Sequence, residues 1–417
     1  MMNSRAAFVA VGLGVSVLTL LRGVVLMTVL AYDDLGLVAL VQSVILFSGL
    51  MHFGLLNGGY RLLCHAGPGY KQRIIDLAYT GFGAIGAVMA LAAAVISFWL
   101  DTDLHRLIAA LAAIAGFCTL VRSWMTNEMV AAGRLGAVNL VNAVSMFASL
   151  VVLVLLYPGV SSIDPALVAV IAMAIQPVLF VVLSFATGAA LRPRRLKMSR
   201  RLAGIIFSAG FTLFLTGIAI QLMNLMERSY VLSEIGLEPL GRLYLAFLFL
   251  TLFQLAPNLI QQVFLPNIVK HRKARDTAGV SRELRHLLAI TVAYSFAAII
   301  ALWLLAEPLL GLILPQYVAD LHWVYLIMPG LIAFSLSSPF ALTFNVVIDY
   351  TWYIVAYGAG IALTVGAFGI ALIADTPFSL DGVMILRSAI YCVMAILLVA
   401  GWWRVSRRYP EFRLTVR

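Results

Sequence analysis

Twelve apolar runs, each long enough to cross a bilayer, take up most of the chain, and the first of them carries an arginine, Arg22, near its middle. A hydrocarbon core about 30 Å thick needs about 20 helical residues to cross it. Inside that core every backbone N–H and C=O must be bonded within the segment, so runs of this kind dictate helices. The predicted spans are 7–31, 37–60, 75–100, 104–131, 137–157, 166–190, 203–232, 241–265, 286–306, 320–346, 351–373 and 382–403. Composition agrees: 63% of residues are hydrophobic and 11% charged, with a mean hydropathy of +1.03, where soluble domains carry about 25% charged residues. A water-soluble fold is excluded, and the short connections leave no room for a soluble catalytic domain. The expected class is an all-α integral membrane protein.

The formal net charge of +10 points to orientation and not to nucleic acid, because Lys and Arg gather in alternate loops. One set holds Arg5, residues 61–74, Arg134, the run 191–202, residues 266–285 and the C-terminal tail. The other set holds Arg106 and Arg242 and carries the acids, among them Asp33, Asp34, Asp101, Asp103, Asp164, Asp320 and Asp381. The Lys/Arg bias places the basic loops, and so both termini, in the cytoplasm. The N-terminal run is too long for a signal peptide and is read as an uncleaved first span. The most basic stretch, 192–201, falls midway and predicts two six-helix halves, 1–195 and 196–417. Asp33–Leu37 and Ser233–Leu237 close the first hairpin of each half with similar residues. A repeat of this kind implies a pseudo-two-fold axis along the membrane normal.

Polar residues recur inside the spans at helical spacing. Span 1 has Ser16, Thr19 and Arg22; span 4 has Thr119, Arg122 and Thr126; span 5 has Asn139, Asn142, Ser145 and Ser149. Span 7 has Gly217, Gln221, Asn224 and Arg228, and span 8 has Thr251, Gln254, Asn258 and Gln261 around Pro257. Such residues bond helices to one another or line a wet cavity; five stripes together favour the cavity. Arg22 lies roughly 15 Å from the outer end of its span at 1.5 Å per residue, too deep to snorkel out. Arg122 is similarly deep. Glu227, Arg228 and Arg387 lie close to outer ends and are expected to reach water. His52, alone in span 2, could titrate near neutrality or simply pack.

No carboxylate lies deep in the first half, whereas a guanidinium fork matches phosphate oxygens two at a time. The inventory therefore suits an anionic, phosphate-bearing substrate. No phosphate-binding Gly-rich loop, paired histidines or nucleophile elbow is present in the sequence, so neither an enzyme nor a cofactor is expected; proton and sodium coupling both stay open. Cys64, Cys118 and Cys392 have no metal-type spacing and read as packing residues.

Three short motifs carry a family resemblance. Span 2 ends in Phe53-Gly54-Leu55-Leu56-Asn57-Gly58-Gly59-Tyr60-Arg61; span 7 holds Glu227-Arg228 before a turn with Gly236 and Leu240-Gly241; span 8 ends in Phe264-Leu265-Pro266 before a basic loop. In these and in its layout the chain resembles Wzx-type flippases for lipid-linked oligosaccharides. These are polysaccharide biosynthesis proteins grouped with lipid II flippases and with multidrug and toxic compound extrusion (MATE) transporters in one superfamily, that of multidrug, oligosaccharidyl-lipid and polysaccharide exporters (MOP). The resemblance implies a MATE-like fold of two six-helix lobes, alternating access, and a central cavity lined by spans 1, 2, 7 and 8. The polar and ionisable residues read from the spans give the expected substrate-binding set: Arg22, Arg122, Ser16, Thr19, His52, Gln221, Asn224, Arg228, Gln254 and Asn258. The cargo would be a polyprenyl-pyrophosphate-linked glycan crossing a bacterial inner membrane. A polysaccharide polymerase and a ligase would be partners, and the flippase itself would be a monomer. A single charge in span 1 and none deep in span 2 set the chain apart from the lipid II branch. The rival readings are an ion-coupled small-molecule exporter and a non-transporting envelope assembly protein.

Overall fold

The computed structural model describes residues 2–64, 66–156, 162–195 and 199–413, with the side chains of 2–10, 13, 16, 68, 254–256, 258, 259, 262, 263 and 266 outside that description. Every regular element among the described residues is helical. In chain order the α-helices are α1 (Met2–Val29), α2 (Tyr32–Gly49), α3 (Leu55–Leu63), α4 (Pro68–Phe98), α5 (Asp103–Ala131), α6 (Leu135–Val152) and α7 (Pro165–Ala186). They continue with α8 (Arg200–Glu234), α9 (Leu237–Arg242), α10 (Tyr244–Lys273), α11 (Thr277–Ile313), α12 (Leu321–Val347), α13 (Thr351–Ile373) and α14 (Leu380–Arg408). Among the described residues ten helices are long and apolar enough to cross a membrane: α2, α4 to α8 and α11 to α14. The predicted first and eighth spans fall on α1, with an apolar stretch Val17–Val29, and on α10.

Helix starts follow elementary capping. Thr102, Asp164, Asp276 and Ser379 each accept a bond from the backbone N–H three residues on, opening α5, α7, α11 and α14. Asp33, Asp34, Asp103 and Asp381 sit in first turns, where the helix dipole favours negative charge.

Two departures from the sequence reading stand out. The predicted second span is broken: α2 ends at Gly49, and the chain turns through Phe53 (φ 45°) and Gly54 (φ 87°) before α3. The loop predicted over 266–285 is instead almost wholly helical, with only Ala274, Arg275 and Asp276 between α10 and α11. The charges there end the apolar run but not the helix, and Lys270, Arg272 and Lys273 in the last turn of α10 suit its negative end.

The chain forms two compact units, Met1–Arg228 and Ser229–Arg417. In the first, α5 packs against α2, α4 and α7, while α6 joins α1 to α7. One core gathers Ile74, Ile75, Phe82, Leu120, Trp124, Leu202 and Ile206; a second gathers Val121, Met125, Met129, Val138, Val141 and Phe180. Helices α3 and α8 meet through bare backbone, since a methyl group on Gly58 would fall on the Ile206 carbonyl and one on Gly210 on the Gly54 carbonyl. In the second unit α12 lies along α14, α10 contacts α11 and α12, and α13 covers α14. There Gly330 donates its N–H to Ser388 Oγ at 2.9 Å, and its missing side chain lets α12 close on α14.

Candidate functional site

Helix α6 is the ruler of the polar interior of the first unit. Its residues Asn142 and Ser149, two turns apart, serve two arginines from different helices. Arg22 of α1 is 8% exposed, and its Nη1 donates to Ser149 Oγ at 3.1 Å and to Gln176 Oε1 of α7 at 3.3 Å. Arg122 of α5 donates from Nη2 to Asn142 Oδ1 at 2.7 Å and lies over the Phe180 ring of α7, 5.4 Å from its centroid. Gln176 and Phe180 are one turn apart on α7. The two guanidiniums therefore occupy different levels of the α6–α7 seam, with partners about 6 Å apart along α7 and about 10 Å apart along α6 at 1.5 Å per residue. The two like charges are close enough to repel. Thr19, one turn before Arg22, donates to the Val15 carbonyl at 2.9 Å and touches Met146 Sδ at 3.8 Å.

The partners named for these arginines are neutral. Among the described residues no carboxylate forms an ion pair with Arg122. Arg122, solvated by an amide and an aromatic ring, keeps its positive field in a medium of low dielectric. The carboxylate nearest in sequence, Glu128, is committed elsewhere: it accepts the Leu191 N–H on both oxygens, at 3.0 and 3.1 Å. Arg134 donates to the Gly188 and Ala189 carbonyls, so these two residues tie down the chain leaving α7.

The other predicted site residues have separate settings. His52 lies in the break between α2 and α3, 3% exposed; its Nδ1 accepts the Gly54 N–H at 3.1 Å and its ring meets Phe214 edge-on at 5.3 Å. On α8, Asn224 donates to Gln221 Oε1 at 3.2 Å. Arg228, expected to reach water, is instead buried: its Nη1 donates to the Ala39 carbonyl at 2.6 Å and to Ser43 Oγ of α2. Arg387, also expected at the surface, is 3% exposed, with Nη2 donating to Tyr391 OH at 2.6 Å. Each has an acceptor within reach inside the protein, which removes the need to extend to water. The side chains of Ser16, Gln254 and Asn258 lie outside the described residues.

Sequence reasoning missed Gln176 and Phe180. The signal was Gln176-Pro177, an amide and a helix-interrupting residue inside an otherwise apolar span. Among the described residues no cluster of His, Cys, Asp and Glu could hold a metal ion.

No protein-family model and no curated protein matches the sequence. Solved structures do match in fold. A multidrug resistance MATE family transporter of the MOP superfamily, in an inward-facing conformation, is 13% identical, with a TM-score of 0.67 over 94% of this chain and 95% of that one. The lipid II flippase MurJ, in an inward closed conformation, is 12% identical, with a TM-score of 0.71 over 95% and 87%. A eukaryotic MATE transporter, AtDTX14, is 16% identical, with a TM-score of 0.63 over 97% and 96%. The chain thus has the all-α, membrane-spanning fold of MATE-like transporters of the MOP superfamily.

Proposed function

We propose that this protein is a membrane transporter, not an enzyme, and that it works by alternating access as a flippase. Its cargo would be an oligosaccharide on a polyprenyl pyrophosphate, an O-antigen, capsule or exopolysaccharide repeat unit moved from the cytoplasmic to the periplasmic leaflet of a bacterial inner membrane. The observation that carries this reading is the Arg22–Arg122 pair, two guanidiniums on one α6–α7 seam of the first unit, with Ser149, Gln176 and Asn142 among their hydrogen-bond partners. Charge in the bilayer interior is costly, and a positive pair at different levels suits the two phosphates of a pyrophosphate. The fold supports the reading, because both lipid-linked and small-molecule carriers have it. By the Lys/Arg bias of the loops, both termini would be cytoplasmic. The polar side chains of α8 and α10, Gln221, Asn224, Gln254 and Asn258, would meet sugar hydroxyls, and the division at 195/196 would separate the two repeats. A glycan polymerase and a ligase would take the product.

The test is a lipid extract from cells depleted of the protein, analysed for polyprenyl-pyrophosphate-linked sugars. Accumulation of one such intermediate, shielded on the cytoplasmic side, is the expected outcome and names the cargo. Unchanged lipids with all surface glycans intact would overturn the reading. The second reading, an ion-coupled small-molecule exporter, draws on Glu227, a buried carboxylate on α8. It requires a drug-resistance phenotype that Glu227→Gln abolishes.

A further inference from the structure

At the basic end of the first unit, where α4 and α8 begin, lies a cavity of about 790 Å³ that shares no lining residue with the arginine seam. Its wall brings together Arg73 from the second turn of α4, Arg195 from the segment ahead of α8, and Arg201 from the first turn of α8. Among the described residues none of these three guanidiniums has a hydrogen-bond or ion-pair partner. The one carboxylate in the wall, Asp76, is occupied in building it. Its Oδ1 accepts from Gln72 Nε2 at 2.9 Å and from the Arg194 N–H at 2.8 Å, while Gln72 also donates to the Arg192 carbonyl at 3.1 Å. Those bonds fasten the 192–195 segment to α4 and so fix the cavity's shape.

Three positive charges face one negative charge, a balance that a dianion would complete. A phosphate monoester carries about −1.5 to −2 near neutral pH, and guanidinium forks grip its oxygens two at a time. The rest of the wall is Ser199, Tyr70, Leu202 and Ile205, a hydroxyl beside apolar and amphipathic side chains. Ile205 is both a wall residue and exposed on α8, so apolar surface borders the charged mouth. A charged mouth with apolar side chains in its wall suits a lipid headgroup and its first methylenes.

We propose that this cavity is a second anion site, binding a multiply charged phosphate group, either on a lipid of the adjoining leaflet or as free pyrophosphate. It stands apart from the transport reading and would exist whatever the cargo.

The test uses the full-length protein in mild detergent, titrated with phosphatidic acid or with inorganic pyrophosphate and read by native mass spectrometry. The test variant is Arg73→Gln/Arg195→Gln/Arg201→Gln. A charge-matched control is Lys273→Gln/Arg282→Gln/Arg408→Gln, exposed residues that do not line the cavity. The three cavity arginines are exposed and unbonded, so the variant should keep the parent's melting midpoint. The expected result is binding at least about tenfold weaker in the cavity variant and unchanged in the control. Loss confined to phosphatidic acid assigns the site to lipid, and loss of pyrophosphate binding alone assigns it to the free anion. Equal binding by parent and cavity variant, or equal losses in both triple variants, would overturn the proposal.

Discussion

Arg22 in the first unit and Arg387 in the second are both buried in membrane-spanning helices, yet they are held differently. Arg22 reaches across to Ser149 on α6 and Gln176 on α7, joining three helices, and Arg122 repeats the pattern one level along through Asn142 and Phe180. Arg387 bonds to Tyr391, four residues on along its own helix, and lies 4.7 Å from the centroid of that ring, which in turn stacks on Phe334 at 5.1 Å. The phenol is a local acceptor with a π-face for the cation, set in an aromatic layer that stiffens α12 against α14. Arg22 and Arg122 thus rest on side-chain groups that a ligand could replace, whereas Arg387 is tied into packing along its own helix. One pattern suits binding and the other suits architecture.

The sharpest way to break that contrast is Arg22→Ala with Arg122→Ala. Charge-assisted hydrogen bonds are worth about 1.5–3 kcal/mol each, so losing two should cut cargo transport roughly a hundredfold or more, with membrane insertion retained. Complementation of depleted cells, followed by assay of the lipid-linked intermediate, reads it; wild-type transport would remove the pair from the site. Next come the side-chain-free contacts, which both units share. Gly210→Val in the first and Gly330→Val in the second each force atoms into a neighbouring backbone, and overpacking costs about 1–3 kcal/mol or more. Lowered melting midpoints in detergent for both are expected; a neutral result at either would mean its helices can part there. Arg387→Met should lower stability by about 1–3 kcal/mol, because the buried Tyr391 hydroxyl loses a donor, while transport persists. Lost transport at unchanged stability would erase the distinction between the units.

The smallest effect is expected at Asp276, outside the spans. Its carboxyl is held below the ordinary 3.8 by the Gly279 N–H first, and then by the His271 ring at 2.8 Å. A depressed folded value contributes stability above the unfolded value and loses it as pH falls through the folded one. Melting midpoints of the parent should therefore drop below about pH 4 relative to Asp276→Asn, by a small amount because the group faces solvent. Parallel curves for parent and variant would show that this cap contributes nothing.

The helices were legible because bilayer thickness sets a length that apolar runs must match, and α13 falls on residues 351–373, the same bounds as the predicted span. Hydropathy marks where lipid ends, however, not where a helix ends, so α10 and α11 ran on through Lys270–Lys273 and Thr277–Arg285 unseen. The break after Gly49 was hidden because Leu50 and Met51 continue the apolar run; Gly49, His52 and Gly54 were its only marks. The depth of Arg22 could be counted along one helix. Its partners could not, for Ser149 and Gln176 lie 127 and 154 residues away and only folding brings them near. Arg228 and Arg387 were placed at the surface by their distance from span ends, a rule that ignores an acceptor on the next helix or the next turn.

The meeting of α3 and α8 at Gly58 and Gly210 has a mechanical consequence. Side chains between helices act as a compliant layer, since rotamers can shift before backbones do. Here that layer is missing, so a tilt of α8 is handed to α3 without slack. The turn at Leu50–Gly54 ends the helical ladder between α3 and α2. Helix α3 is thus geared to α8 and uncoupled from its own sequence neighbour, and His52 sits at the joint where the two would part.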